Sequence, residues 1–177
     1  LISLLLAGVI PNKTLKLYFL DVDQGDCIVI QSPRKKIIII DAGKRVTDFR
    51  TGKVKLDMGK KVVLPFCRFL GVNRIDALMV SHYDSDHSGG MGVLLEKIPV
   101  TSIWDNGDRA SGEFRRLHAI TKAMGQDPEQ FFYRPAAGTR IKLEMDLFLE
   151  VLAPVTMTES LSSNNRSLVL RLVYKDF

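Results

Sequence analysis

The stretch Ser81-His82-Tyr83-Asp84-Ser85-Asp86-His87-Ser88-Gly89-Gly90 places two imidazoles and two carboxylates within six consecutive residues. It follows residues 77–80, a fully apolar run that is typical of a central strand buried on both faces. The polar groups therefore leave the carboxyl end of a buried strand. Because alternate residues of an extended segment point the same way, we expect the first three groups to converge and a turn to redirect the last histidine.

This combination of side chains predicts a divalent-metal site. Mixed imidazole and carboxylate ligands suit Zn²⁺ and Mn²⁺, and a carboxylate in place of a nitrogen shifts the preference towards harder ions such as Mn²⁺. Gly89 and Gly90 permit a tight turn into a following helix, whose N-terminal dipole favours negative charge nearby. The predicted metal ligands are His82, Asp84, Asp86 and His87.

Three other interpretations compete with a transition-metal site. Asp84, Asp86 and Gly89 match the start of a calcium-binding EF-hand, but Leu95 occupies the twelfth position, where that loop needs an acid. A strand rather than a helix also precedes the loop. A solvated polar turn and a metal-free remnant of a lost site remain as alternatives at this point.

The rest of the chain alternates strand and helix patterns, as in an α/β (α+β) protein. Three short strands at residues 15–22, 27–31 and 36–41 open the domain, and a basic loop at 43–60 leads to a helix at 62–70. We find no repeat or linker, so one domain is predicted over residues 14–177. Further helices are predicted at 90–97 and 114–124, and further strands at 102–105, 131–133, 139–142, 147–152 and 167–174.

Composition is that of a globular protein, because 46% of the 177 residues are hydrophobic and 25% are charged. This balance excludes an intrinsically disordered chain. The net charge of +5 suits an anionic substrate. Cys27 and Cys67 fall in apolar phases and are too few for a disulfide framework, so both are predicted to be buried free thiols.

An apolar segment at residues 1–10 is closed by Pro11 and is too short to span a bilayer alone. We interpret residues 1–13 as the end of a transmembrane helix or of a signal segment, with a first strand as the alternative. Membrane attachment or export is the corresponding expectation.

The loop at 81–90 resembles the metal-binding loop of the metallo-β-lactamase superfamily, which usually reads His-x-His-x-Asp-His. Asp84 stands at the second histidine position, as it does in ComEC-type competence nuclease domains. Other similar segments are residues 20–30, Ile40-Asp41-Ala42-Gly43, residues 63–72, Ile75-Asp76, and Asn165-Arg166-Ser167-Leu168-Val169-Leu170. Asp23 departs from the pattern, since glycine is usual there. The resemblance covers nearly everything after Thr14.

The resemblance implies an αββα sandwich with two divalent metal ions, Mn²⁺ or Zn²⁺. His82 and Asp84 would bind one ion, and Asp86 and His87 the other. Asp41 would hydrogen-bond a ligand or its loop and fix the orientation, although it is also a turn-forming residue before Ala-Gly. A hydroxide shared by the ions would attack a phosphodiester, with Asp86 as the catalytic residue that orients it.

The function that this resemblance implies is a metal-dependent phosphodiesterase, a DNase that degrades one strand during DNA uptake in competence. DNA would be the substrate, and a membrane channel fused upstream a possible partner. A hydrolase of β-lactams or thioesters is the alternative enzyme, and a non-catalytic nucleic-acid-binding module is the alternative of another class. Further ligands in the superfamily come from its second half, so we expect a domain that is incomplete at its C-terminus, with a weakened metal site.

A substrate rim is predicted more weakly. The candidate residues are Lys44, Arg45, Asn165 and Ser167. Lys44 and Arg45 belong to the basic loop, which could follow a phosphate backbone or simply be solvated. The asparagine is equally ordinary turn chemistry before a strand. His118 is predicted to be a surface residue rather than a missing ligand.

Overall fold

The computed structural model describes residues 14–154 and 162–175, so the apolar segment predicted at residues 1–13 lies outside the described residues. Within these two ranges, no helix is long and apolar enough to cross a membrane. The elements are β1 (Lys16–Phe19), β2 (Ile28–Gln31), β3 (Ile37–Ile40), β4 (Arg45–Thr47), β5 (Val54–Asp57), a π-helical turn (Gly59–Val63), α1 (Leu64–Phe69), β6 (Ala77–Met79), α2 (Ser85–Ser88), α3 (Met91–Lys97), β7 (Ile103–Trp104), α4 (Gly112–Ala123), α5 (Pro128–Phe131), β8 (Phe132–Tyr133), β9 (Arg140–Glu144), β10 (Leu147–Ala153), a 3₁₀ turn (Asn164–Arg166) and β11 (Val169–Tyr174).

The main sheet has six strands in the order β1-β2-β3-β6-β7-β8. Its first three strands form the predicted antiparallel meander, and β3, β6, β7 and β8 run parallel to one another. Because neighbouring parallel strands end at the same edge, the segments after β3, β6 and β7 meet there. The backbone N–H of Asp41, just past β3, donates to the carbonyl of Met79 on β6 at 2.9 Å.

Alternation along the central strands builds two cores. In β3, Ile37 and Ile39 face the helices, whereas Ile38 faces the three-stranded sheet of β9, β10 and β11 and packs in one cluster with Leu147 and Leu149. All-apolar runs such as β3 and β6 are required because both of their faces are buried. The described residues therefore supply three of the four expected layers, in the order α, β, β.

The basic segment at 43–60, predicted as a loop, is instead a β-hairpin followed by a π-helical turn. Strands β4 and β5 pair antiparallel with Arg45 opposite Asp57. The Asp48 carboxylate accepts the backbone N–H groups of Arg50 and Thr51 at 2.9 and 3.0 Å and closes the turn. The prediction missed this hairpin because its apolar and polar residues alternate over only three residues in β4 and four in β5, which is at or below the shortest run that indicates a strand.

Candidate metal centre

Asp41 ends strand β3 with a positive φ of 57°, a conformation that aspartate tolerates better than most residues. Its buried carboxylate accepts hydrogen bonds from the Ser81 backbone N–H at 2.9 Å and from the Ser81 hydroxyl at 2.5 Å. A third contact joins it to His87 Nδ1 at 2.9 Å. Asp41 therefore turns the chain and also contacts Ser81 and His87 in the loop that carries the predicted ligands.

His87 is oriented by that contact. A carboxylate can only accept, so Nδ1 of His87 is the donor to Asp41 and Nε2 is left with its lone pair. This is the arrangement by which proteins orient metal-binding imidazoles. The hydrogen bond to Asp41 raises the pKa of His87, and partial burial acts in the opposite direction. Since metal binding needs the neutral imidazole, a proton and a metal ion compete for this ring.

His82 and Asp84 face each other. Nε2 of His82 lies 3.4 Å from Oδ2 of Asp84. Two ligand atoms of one tetrahedral ion with bonds of about 2.0–2.2 Å are separated by about 3.3 Å, so the pair fits a shared ion. On its other side, His82 Nδ1 lies 3.1 Å from the Ser81 hydroxyl and 3.4 Å from the Ser167 hydroxyl. The rings of His82 and His87 are 4.1 Å apart, centroid to centroid, which brings both histidines to one place.

The extended path predicted through Asp86 is wrong, because the chain turns into the short helix α2 at Ser85. The carbonyl of Asp84 accepts the backbone N–H groups of both His87 and Ser88 at 3.0 Å, which closes the first turn. His82 and Asp84 consequently precede the helix, whereas Asp86 and His87 lie within it. The four predicted ligands are divided into two pairs by backbone conformation rather than by strand alternation.

A further acidic residue, Asp26, lies close to His87 and was not among the predicted site residues. Its Oδ2 lies 3.8 Å from His87 Nδ1, and Asp26, Asp41 and His87 offer ligand atoms that all lie within 4.8 Å of one another. The neighbouring Gln24 amide contacts Asp86 Oδ2 at 3.4 Å. A Cβ on Gly25 would lie 1.7 Å from the Asp86 carbonyl oxygen, so only glycine lets this turn pack on the loop. The Gly25-Asp26 pair within residues 20–30 was the available sequence signal.

Of the predicted rim residues, Ser167 and Arg45 line two different clefts, whereas Lys44 and Asn165 line neither of them. We call the first the metal-facing cleft; it has a volume of about 690 Å³ and is lined by Asp41, His82, His87, Asn164 and Ser167, among others. Asn164 rather than Asn165 lines it. Lys44 Nζ bonds the Gln24 side chain at 2.8 Å, close to Asp86.

Arg45 and His118 lie away from the metal-facing cleft. Arg45 lines a different cleft and approaches Asp57 at 3.8 Å. His118 is half-buried against Phe114 and Phe132, with ring centroids 5.6 and 6.0 Å away, rather than free on the surface.

A buried polar network holds the loop from its other side, and sequence reasoning missed it. The Tyr83 hydroxyl donates to Asp105 Oδ2 at 2.5 Å, and Asp105 Oδ1 accepts the Gly107 N–H at 2.8 Å. Arg134 Nε lies 3.3 Å from that carboxylate. Burial raises the pKa of Asp105, while these partners lower it. The polar segment that follows the short apolar strand β7 was the signal, since β7 ends at the same sheet edge as β6.

Comparison with known proteins identifies the family. The family model described as the metallo-β-lactamase superfamily matches residues 20–160. The chain belongs to this superfamily. Its fold implies divalent-metal binding, and the imidazole and carboxylate atoms gathered at the end of β6 fit such ions.

Individual relatives agree with the superfamily assignment. The chain is 27% identical over 157 residues to ComE operon protein 3 of Bacillus subtilis (strain 168), an alignment that covers 85% of this chain and 20% of that protein. Among solved structures, the subclass B3 metallo-β-lactamase MEM-A1 from a soil metagenome library gives a TM-score of 0.50 at 18% identity and covers 77% and 48% of the two chains.

The metallo-β-lactamase SMB-1 bound to 2-mercaptoethanesulfonate gives a TM-score of 0.51 at 15% identity, over 77% and 50% of the two chains. The chain thus spans about a fifth of the ComE relative and about half of each lactamase. At these identities the lactamase structures establish the fold alone, which agrees with the α/β class and the sandwich predicted from the sequence.

Proposed function

We propose that this chain belongs to a metal-dependent phosphodiesterase that cleaves DNA, of the ComEC DNA-uptake type. The observation that carries the proposal is Asp84, which faces His82 Nε2 at 3.4 Å and stands where the superfamily usually has a second histidine. A carboxylate there makes the ligand set harder and favours Mn²⁺ alongside Zn²⁺. The similarity to ComE operon protein 3 supports the same context.

The chain's own residues would hold two divalent ions, His82 with Asp84 and Asp86 with His87. Bound ions would supply Lewis-acid activation of the phosphodiester and of water. Asp41 would keep Nδ1 of His87 occupied, so that Nε2 faces the ion. Asp86, in the first turn of α2, would orient the attacking water and hold a proton for the leaving oxygen.

A single DNA strand is the proposed substrate, and a membrane channel elsewhere in the protein is the proposed partner. The net charge of +5 supports an anionic substrate. The strand would cross the metal-facing cleft, and Ser167, whose hydroxyl lies 3.4 Å from His82 Nδ1, would contact a phosphate there.

The test measures metal content and Mn²⁺-dependent cleavage of a labelled single-stranded oligonucleotide. Asp84→Ala is expected to remove both bound metal and cleavage, whereas Asp84→His, which restores the usual superfamily pattern, is expected to shift the metal preference from Mn²⁺ towards Zn²⁺. Glu129→Ala, an exposed carboxylate outside both clefts, is the matched control and should leave both unchanged.

Two outcomes would contradict the proposal. Hydrolysis of a nitrophenyl ester or a β-lactam without DNA cleavage would indicate a small-molecule hydrolase instead. Metal-free protein that neither cleaves DNA nor hydrolyses esters would indicate a non-catalytic module.

A further inference from the structure

A second cleft, which we call the basic cleft, lies between the β4–β5 hairpin, the π-helical turn, α3 and α4. Its volume is about 830 Å³, and it shares no lining residue with the metal-facing cleft in the part of the chain that the structure describes. Two carboxylates, Asp57 and Glu96, line it. The cations that line it are Arg45, Lys55, Lys60, Lys61, Lys97 and Arg116.

Three of these cations are not neutralised by the protein. Lys60, Lys61 and Lys97 are exposed and form no ion pair with any described residue, whereas Lys55 pairs with Asp48 at 2.7 Å. Six cations line the cleft with two carboxylates, and Asp48 and Glu113 pair with Lys55 and Arg116 from outside the lining, so an excess of two positive charges remains. Gathering like charges on concave walls raises the local potential and attracts anions.

The floor of the basic cleft is a fixed guanidinium. Arg116 donates from Nη2 to the Gly89 carbonyl at 2.7 Å and from Nε to Glu113 at 2.8 Å. Gly92 makes room for it, since a Cβ there would lie 2.3 Å from Arg116 Nη1. Nη1 itself has no hydrogen-bond partner among the described residues, so it remains available to a bound anion.

The floor is also continuous with the metal-binding loop. Gly89, which accepts the bond from Arg116, follows directly after the predicted ligands. A Cβ at Gly89 would lie 2.6 Å from the Arg45 backbone nitrogen, so the hairpin packs tightly on this turn. A strand held in the basic cleft would therefore lie against the backbone that carries the metal ligands.

We propose that the basic cleft binds the phosphodiester backbone of a nucleic-acid strand, as a site separate from the metal-facing cleft. The walls between the cations are aliphatic, from Val54, Leu56, Val93 and Ile120, and suit sugar edges. Among the residues that the structure describes, no aromatic side chain lines the cleft, so we expect contacts to the phosphate backbone and binding that is independent of sequence.

A concave cleft with aliphatic walls between its cations fits a nucleic-acid strand better than a membrane surface does. Interfacial membrane binding relies on large apolar side chains beside the cations, and Phe49 at the hairpin turn is not part of the lining. The inference takes its ligand class from the proposed function but does not require cleavage.

The test is fluorescence anisotropy of a labelled oligothymidylate with the whole chain in EDTA, where no cleavage occurs. The triple variant Lys60→Gln, Lys61→Gln, Lys97→Gln is expected to bind the oligonucleotide about tenfold more weakly. A plot of the logarithm of the binding constant against the logarithm of the salt concentration should have a slope shallower by about 2, because three phosphate contacts are lost. The triple variant Lys16→Gln, Lys122→Gln, Lys142→Gln removes the same charge from exposed positions outside both clefts and is expected to retain wild-type affinity.

The alternatives give different results. An equal loss in both triple variants would show general electrostatic attraction and overturn the basic cleft. Wild-type affinity in the cleft variant, with a loss in His82→Ala, would place the strand at the metal ligands and overturn it as well. The proposal would also be overturned if the Lys60, Lys61 and Lys97 variant lost binding to phosphatidylserine vesicles but kept its affinity for the oligonucleotide. Cleft-dependent binding without any Mn²⁺-dependent cleavage would support the basic cleft and remove the nuclease proposal.

Discussion

The loop at residues 81–90 has one side that faces the metal-facing cleft and one that faces the core, and the two sides differ in the hydrogen-bond partners of their polar groups. His82 lines the metal-facing cleft, and its Nε2 lies 3.4 Å from Asp84 Oδ2, a separation that fits two ligands of one ion. Its neighbour Tyr83 points into the core, donates to Asp105 at 2.5 Å, and packs edge-on against Phe114 with centroids 5.5 Å apart. The cleft side therefore keeps ligand atoms available to a metal ion, whereas the Tyr83 hydroxyl on the core side is already hydrogen-bonded to Asp105.

This difference shows how a loop can be both rigid and open to a ligand. The core side fixes the backbone through Tyr83, and Asp41 fixes the carboxyl end of the strand before it, so the imidazoles need little reorganisation to bind an ion. Binding residues are expected to matter for metal affinity and little for stability, while the anchoring residues are expected to show the reverse. The predictions below test that separation.

The largest effect is expected from His82→Ala. Loss of a direct ligand should weaken divalent-metal affinity by more than about 100-fold, which exceeds what loss of an orienting partner costs. The free energy of unfolding without metal should fall by less than about 2 kcal/mol, because the buried His82 contacts the Ser81 and Ser167 hydroxyls only at 3.1 and 3.4 Å. Titration calorimetry and urea unfolding measure the two quantities. A large loss of metal-free stability would show that the two sides are not separate.

Asp105→Ala is expected to do the opposite. It leaves the buried Tyr83 hydroxyl without its acceptor and should destabilise the fold by about 2–3 kcal/mol. Metal affinity of the folded protein should stay within about threefold, since no ligand is touched. Glu150→Ala, which breaks an exposed pair with Arg171, is the control and should cost less than about 1 kcal/mol.

Asp41→Asn tests the residue that both anchors the loop, through Ser81, and contacts a predicted ligand, His87. The amide no longer orients His87 as a carboxylate does, and metal affinity is expected to fall about 10–100-fold. Binding of Mn²⁺ followed by electron paramagnetic resonance measures the change. Unchanged affinity would mean that Asp41 serves only as a turn residue after β3.

Tyr83→Phe removes one hydroxyl and should lower the free energy of unfolding by about 1–2 kcal/mol. The effect is smaller than that of Asp105→Ala because Asp105 keeps Gly107 and Arg134 as partners. Thermal and urea unfolding provide the measurement. A loss of metal binding without a loss of stability would reverse the roles assigned to the two sides.

The smallest effect concerns the thiols. Cys27 lines the metal-facing cleft but is only 3% exposed, and burial raises its pKa, with a further contribution from Asp41. Burial raises the pKa of Cys67 to about 11. Neither thiol should react with iodoacetamide in the folded protein at about pH 8, and both should react after unfolding. Rapid labelling of Cys27 alone would show that the metal-facing side is more open than the structure indicates.

Periodicity and residue chemistry predicted most of the framework. The all-apolar run of β6 indicated a strand buried on both faces, and the structure places a core on each side of it. The hairpin β4–β5 and the helix α2 escaped prediction. The hairpin strands alternate apolar and polar residues over only three and four positions, and a helix of four residues is shorter than the window in which a helical period can be recognised.

The sequence by itself was enough to predict a set of candidate metal ligands, because imidazoles and carboxylates crowded after a buried strand have few other chemical uses. Only the tertiary structure brought Asp26 and Asp41 to His87, gave Tyr83 its partner Asp105, and turned Arg45 towards the basic cleft. Those contacts join residues far apart in the chain. They exist because parallel strands β3, β6 and β7 end at one edge, a geometry that no local pattern in the sequence encodes.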